Sequence, residues 1–296
     1  MESVNLLSKE RVKKNQIKSS GILGNIKSKY ILKNVFNNLE TIKSFNFIKY
    51  NNIIKKRMDI NINDYKEYIE KYSSIEIEIK PVINEYGKFI NIKKEDEKYY
   101  HIYFNNNKEE VKRYYIDKNE RIKIIKIIID YNIKSFQNLF GNSFCIESID
   151  FKKFYRNNIN NMCGMFYGCS SLKKLNLNNF NTNNVTNMRD MFFNCSSLKE
   201  LNLDNFITNN VIDMGYMFCG CSSLKELNLN NFNTSNVIDM NLMLSECSSL
   251  KVFKLSNFDT NKVSYMRKIF YKCSNELIMK IKTQYKNIKE EAFIIY

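Results

Sequence analysis

A fixed step of 26 residues governs the second half of this chain. Cys169, Cys195, Cys221, Cys247 and Cys273 follow one another at that interval. Met162, Met188, Met214, Met240 and Met266 keep the same step, as do Phe166, Phe192, Phe218, Leu244 and Phe270. So do Leu172, Leu198, Leu224 and Leu250; Leu177, Leu203, Leu229 and Leu255; and Phe180, Phe206, Phe232 and Phe258. Thr182, Thr208, Thr234 and Thr260, then Val185, Val211, Val237 and Val263, complete the unit. So many columns in phase, with no insertion, constrain the fold to a stack of similar coils, none of which can bury its apolar face alone. A worn copy comes first, with Phe136, Leu139, Phe140, Ile146, Ile149, Phe151, Phe154 and Ile159 on the apolar columns. The array therefore starts near residue 133 and fades after Cys273.

Each unit mixes two periodicities. Met188, Met191, Phe192 and Cys195 fall at i, i+3, i+4 and i+7, which predicts one face of a short helix. Asn187, Asp213 and Asp239 precede that segment and suit its N-cap. Leu198, Leu201 and Leu203 then predict a short strand, and Phe206 and Val211 a return arc. Five or six such rungs would make a rod about 25 Å long at strand spacing.

The string VTNMRDMFFNCSSLKELNLDNF resembles the repeat of BspA-like leucine-rich-repeat surface proteins, over residues 133–275. The resemblance implies an α/β fold: a leucine-rich-repeat solenoid of five to six coils, each a short helix plus a short parallel strand. It also implies a surface or adhesive role without enzymatic activity.

Outward positions of the expected strands form polar columns. Lys173, Lys199, Lys225 and Lys251 make one, beside Lys174, Glu200, Glu226 and Val252. Asn176, Asn202, Asn228 and Lys254 make the next, followed by Asn178, Asp204, Asn230 and Ser256. Because the sheet is the usual binding surface of stacked coils, a partner-binding face is expected at Lys173, Asn176, Lys199, Glu200, Asn202, Lys225, Glu226, Asn228, Lys251 and Lys254. The alternative is a solvated face that binds nothing.

Catalysis finds little support. The chain has a single His, His101, and it lies outside the array, which leaves no Ser-His or Cys-His pair, no HExxH and no phosphate-binding Gly loop. The Cys spacings are not those of zinc ligands, so the Cys and Met columns are expected to pack as small and flexible apolar groups, with no metal or cofactor. The sequons at Asn184 and Asn233 matter only on a secretory route.

The net charge of +15 raises the question of nucleic acid. Its distribution argues against it: residues 133–296 hold 19 Lys and Arg against 13 Asp and Glu, and residues 160–250 hold 5 against 7. No apolar run is long enough to span a bilayer, since Lys123 and Lys126 interrupt the stretch Ile122 to Ile129. The N-terminus shows no signal-peptide core. A cytoplasmic monomer with reduced thiols is expected, with the cell surface as the alternative that the family resemblance implies.

In the first half, residues 1–20 are expected to be a disordered tail and 21–60 to be helical, with Ile31, Leu32, Val35, Phe36 and Leu39 on one face and Phe45 and Ile48 beginning another. The segment ILGNIKSKYILKNVFNNLETIKSFNFIKYNNIIKK resembles an F-box without its Leu-Pro entry and later Trp. That resemblance implies that Ile31, Val35, Phe36 and Leu39 dock a Skp-type linker protein; a plain helical hairpin is the alternative. Residues 61–132 alternate apolar and charged residues (IEIEIKPV, GKFINIK, YYHIYF, VKRYYI), which predicts an α+β region of three or four antiparallel strands. RIKIIKIIIDYNIKSFQNLF would lead from there into the first coil, and 276–296 would form a C-terminal cap or tail. Three functions follow as expectations: an intracellular protein–protein interaction module, an F-box-like substrate adaptor of a ubiquitin ligase, or a surface adhesin-like repeat protein.

Overall fold

The computed structural model describes residues 73–256, 259–285 and 288–294, and singly Lys56, Glu70 and Tyr72. The chain divides after Tyr72, and the architecture below is that of the unit Ser73–Tyr296. The expected tail 1–20, the expected helices of 21–60 and the linker-docking residues Ile31, Val35, Phe36 and Leu39 lie outside the described residues.

The unit is mixed α/β, with many strands, few helices and no closed barrel. In β1 (Ile75–Pro81), strict alternation buries Ile75, Ile77, Ile79 and Pro81 and turns Glu76, Glu78 and Lys80 outward. β2 (Gly87–Lys88) and β4 (Tyr115–Ile116) pair only briefly, so GKFINIK and VKRYYI yield a short ribbon rather than two full strands. Phe89 and Ile90 leave that ribbon for the core. A 3-10 turn, Lys94–Tyr99, leads into β3 (Tyr100–Phe104).

β5 (Ile125–Ile129) is the apolar stretch expected to lead into the first coil. It is instead a full sheet strand, antiparallel to both β1 and β3, with Ile127 opposite Ile77 and Ile102. Its alternate isoleucines fit the half-buried pleat better than a connector could. β6 (Ile146–Lys153) pairs antiparallel with β1, Ile79 against Ile149, and parallel with β7 (Lys174–Asn176), Ile149 against Leu175. The sheet order is β3-β5-β1-β6-β7. The worn first copy of the repeat is thus the strand on which antiparallel pairing changes to parallel, and the boundary expected at 132/133 falls inside one compact unit.

From β6 onward the chain advances by one repeat per rung. Parallel bridges join Ser135, Asn161, Asn187, Asp213, Asp239 and Tyr265 in succession. Strands are short: β7, β8 (Glu226–Asn228) and β9 (Val252–Lys254), the last two paired parallel. The rings of Phe166, Phe192 and Phe218 stack at 5.5 Å, tilted by 9° and 7°, so each phenyl repeats the pose of the one below. Such pairs contribute about 0.5–1.5 kcal/mol each beyond burial.

The expected helix in each coil is not present. Residues 188–195 form consecutive turns, because their backbone N–H groups alternate between two destinations. Met188, Asp190, Phe192 and Asn194 donate to Asp213, Gly215, Met217 and Cys219 of the next rung. Met191, Phe193 and Cys195 close turns onto the third residue before them. Every fourth residue takes a left-handed conformation: Asn138, Gly164, Asp190, Tyr216, Leu242 and Lys268 in one column, Asn142, Gly168, Asn194, Gly220, Glu246 and Lys272 in the other. A four-residue turn period places apolar residues at i, i+3, i+4 and i+7 as a helix does, so the spacing alone cannot separate them. Asn187, Asp213 and Asp239 keep the local bond of a cap, each Oδ1 accepting from the N–H two residues on at 2.8–2.9 Å, but a turn follows rather than a helix.

Three polar columns hold the rungs together. Each column thiol donates to a carbonyl of the preceding rung: Cys169 to Phe140 at 3.0 Å, Cys195 to Phe166 at 3.2 Å, Cys221 to Phe192 at 3.1 Å. Cys247 and Cys273 continue the series. The Cys column is therefore a donor column as well as a packing one. Buried Thr182 Oγ1 accepts from Ile207 N at 2.8 Å and donates to Ile207 O at 2.9 Å, and Thr208 repeats both bonds with Asn233. Asn205 Nδ2 donates to Leu177 O and Phe180 O, and Asn231 Nδ2 to Leu203 O and Phe206 O, at 2.8–2.9 Å. These bonds satisfy buried backbone groups that the short strands leave over.

The last rung is closed by the tail. α1 (Asn275–Gln284), whose Ser274 cap accepts from Leu277 N, buries Leu277 and Ile281. Tyr285 Oη then accepts from Leu255 N at 3.0 Å. Lys268 N and Phe270 N, which would face a further rung, donate to Glu291 O and Ala292 O at 3.0 and 3.2 Å.

Candidate protein-binding face

The residues expected on the strand face do point outward. Nine of the ten are exposed, and Asn228 is half-buried. They do not all share one site. A concavity of about 680 Å³ lies over the outward side of β1, β6, β7, β8 and the rung between β7 and β8. Asn176, Glu200, Asn202, Glu226 and Asn228 line it, whereas Lys173, Lys199, Lys225, Lys251 and Lys254 are not among its lining residues. The Lys column belongs to the position before the strand, where side chains do not stand over the sheet; Lys173 pairs with Glu147 at 3.0 Å.

The antiparallel strands supply lining residues that repeat-based reasoning missed: Glu78 and Lys80 from β1, Ser148, Asp150 and Lys152 from β6. The alternation of IEIEIKP could have flagged the first pair, but only the pairing of β1 with β6 sets them beside the repeat. Lys152 is held by Asp150, and Asn176 Nδ2 donates to Asp150 Oδ1 at 2.9 Å. Lys254 reaches Glu226 at 3.2 Å from the next rung.

On the turn-lined side, Arg189 meets Asp239 at 2.9 Å, Asp190 at 3.5 Å and Asp213 at 3.6 Å, and lies 4.9 Å from the Tyr216 ring centre. Burial pushes the Asp190 and Asp213 carboxyls up. The cluster ties three rungs and closes on itself. His101 sits between Glu110 at 3.2 Å and Asp130 at 3.4 Å. Among the described residues no group of three His, Cys, Asp or Glu side chains is placed to hold a metal ion. Burial pushes the thiols of Cys169, Cys221 and Cys273 up to about 12, so these donors hold their protons. No helix among the described residues is long and apolar enough to cross a membrane.

No curated protein and no solved structure matches the chain. One family model does, over residues 134–251 and again over 199–290, together more than half of the sequence. The turns, ladders and concave face all lie in or against that span, and the chain belongs to the family described as Mycoplasma protein of unknown function, DUF285.

Proposed function

We propose that residues 133–275 are a leucine-rich-repeat-type solenoid of the BspA-like kind, and that the protein works without catalysis, by binding another protein on its outward sheet face. One observation carries the reading. The face is concave and continuous from the antiparallel strands onto the rungs, and outward polar and charged residues of both line it. A surface of this form suits an extended or convex partner. An intracellular module and a surface adhesin share this chemistry and differ only in where the partner is met.

Affinity capture with the full chain tests the reading. A variant carrying Asn202→Trp and Asn228→Arg fills the concavity while leaving the buried columns untouched. The partner recovered by the native chain should be lost from this variant. A partner held equally by both chains would place the binding site elsewhere.

A further inference from the structure

The ladder on the turn-lined side begins with acceptors that no full rung precedes. Backbone N–H groups of the first rung donate to carbonyls of the next: Phe136 to Asn161, Asn138 to Cys163, Phe140 to Met165 and Asn142 to Tyr167. One repeat earlier, the equivalent carbonyls are those of Ser135, Gln137, Leu139 and Gly141. Asn91 meets the last two. Its N–H donates to Leu139 O at 2.7 Å, and its Nδ2 to Gly141 O and Asn138 O at 2.8 Å each. Phe89, two residues before Asn91, stands where the donor to Gln137 would be, but its N–H turns to Tyr114 O at 3.0 Å. The carbonyls of Ser135 and Gln137 accept no hydrogen bond among the described residues.

Both residues line a cavity of about 250 Å³, with Asn91, Leu139 and Tyr100. Tyr100 is only 5% exposed, and its hydroxyl has no hydrogen-bond partner among the described residues. Burial, and after it the Asp96 carboxylate, push the phenol well up, so it keeps a proton to donate. Two carbonyls and a hydroxyl at one cavity make a hydrogen-bonding set that the fold leaves incomplete. The charged lining residues, Lys93, Asp96 and Lys134, carry both signs and select neither an anion nor a cation. What the cavity offers is the open end of a main-chain ladder.

We propose that a short segment of a partner protein docks here as a partial preceding rung. Its N–H groups at positions p and p+2 donate to Ser135 O and Gln137 O, and Tyr100 Oη donates to one of its carbonyls. The rungs themselves specify the conformation, because the second donor of each is left-handed: Asn138, Gly164, Asp190 and Tyr216. The segment therefore carries Gly or Asn at p+2 and proline at neither donor position. Main-chain bonds supply the affinity, as when a strand adds to a sheet edge. This site shares no lining residue with the concave sheet face and stands or falls apart from it.

The test uses the full chain and a labelled, acetylated peptide Thr-Asn-Met-Ser-Gly-Met, a rung segment with Met and Gly at the two donor positions, followed by fluorescence anisotropy. The control is its ester analogue, in which both donor N–H groups are replaced by oxygen. The peptide should bind, and the analogue should bind about tenfold more weakly for the loss of two hydrogen bonds. Gln137→Trp, which fills the cavity from an exposed position, should abolish binding, and Tyr100→Phe, which keeps the packing, should weaken it about fivefold. Equal binding of the ester analogue, or unchanged affinity in either variant, overturns the proposal. So does a peptide that fails to bind the native chain, since the carbonyls then serve water alone. Asn202→Trp/Asn228→Arg should bind the peptide as the native chain does; a loss there assigns the peptide to the sheet face and also overturns it.

Discussion

The thiol of Cys195 donates to the carbonyl oxygen of Phe166 at 3.2 Å, one rung below, and neither group touches water. Ionising such a sulfur would require a buried thiolate facing a carbonyl oxygen. Burial accordingly pushes Cys169, Cys221 and Cys273 up to about 12, and Cys195 and Cys247 well above their ordinary value. Because the folded-state values are raised, the unfolded chain loses these protons first. The stability they contribute is whole below pH 9 and is lost as pH climbs toward 12, by about 1.4 kcal/mol per thiol per pH unit. The melting temperature should hold from pH 7 to 8.5 and fall steeply beyond pH 9. A flat profile to pH 10.5 would contradict the ladder. Cys195→Ala, which leaves the Phe166 carbonyl only the backbone N–H of Cys169 at 3.1 Å, should cost about 0.5–1.5 kcal/mol for the lost bond in denaturant unfolding.

Gly220 adopts φ 76°, and a Cβ there would overlap Asn194 Oδ1 of the preceding rung. Gly220→Ala should destabilise by about 2 kcal/mol or more, combining a left-handed Ala with the overlap. Adding Asn194→Gly removes the overlap and leaves at 194 a residue that takes the left-handed conformation without strain. Chemical denaturation of the single and double variants reads the difference, and identical values for the two would mean that the overlap relaxes freely.

At the far end, Tyr285→Phe removes the oxygen that accepts from Leu255 N. About 1–2 kcal/mol should be lost locally, seen as faster amide exchange at Leu255 with little change in the rungs near β6. Ending the chain at residue 287 also removes the carbonyls of Glu291 and Ala292 that receive Lys268 and Phe270. The exposed ladder edge should drive self-association in size-exclusion chromatography. A monomeric truncated chain would show that the tail is dispensable as a cap.

Arg156 is fully buried and uses only Nη1, on the Asp130 carbonyl at 2.7 Å; Nε and Nη2 have no partner among the described residues. Burial pushes its guanidinium down to about 10. Replacing a poorly satisfied buried charge by an apolar group of similar length is usually neutral or favourable. Arg156→Met should therefore change unfolding free energy by less than about 1 kcal/mol, or raise it. A loss above about 2 kcal/mol would show that the guanidinium edge is hydrogen-bonded in solution.

The repeat was legible because its information is redundant: the apolar columns at the 26-residue step are buried where they are described, with Leu175 half-buried. The helix expected over Met188–Cys195 was misread because a run of left-handed turns at every fourth residue imitates helical spacing. The irregular αL residues Tyr216, Leu242 and Glu246 hid the signal that Asn and Gly show in the earlier rungs. The continuation of the sheet onto β1 was invisible for a different reason. Pairing between Ile79 and Ile149 is a contact across 70 residues, with no motif at either end. For the candidate face, outward columns were readable but their occupancy was not, since whether Glu200 is free depends on where Lys174 and Lys254 reach.

Because the thiol, threonine and asparagine bonds each join a residue to the rung above or below at nearly the same offset, the backbone is indifferent to how many rungs it holds. Duplication or loss of a whole unit in a gene would leave every ladder intact, whereas a single-codon deletion would throw all later columns out of phase. Such a scaffold can change its length in one event and then alter, one outward letter at a time, what it recognises.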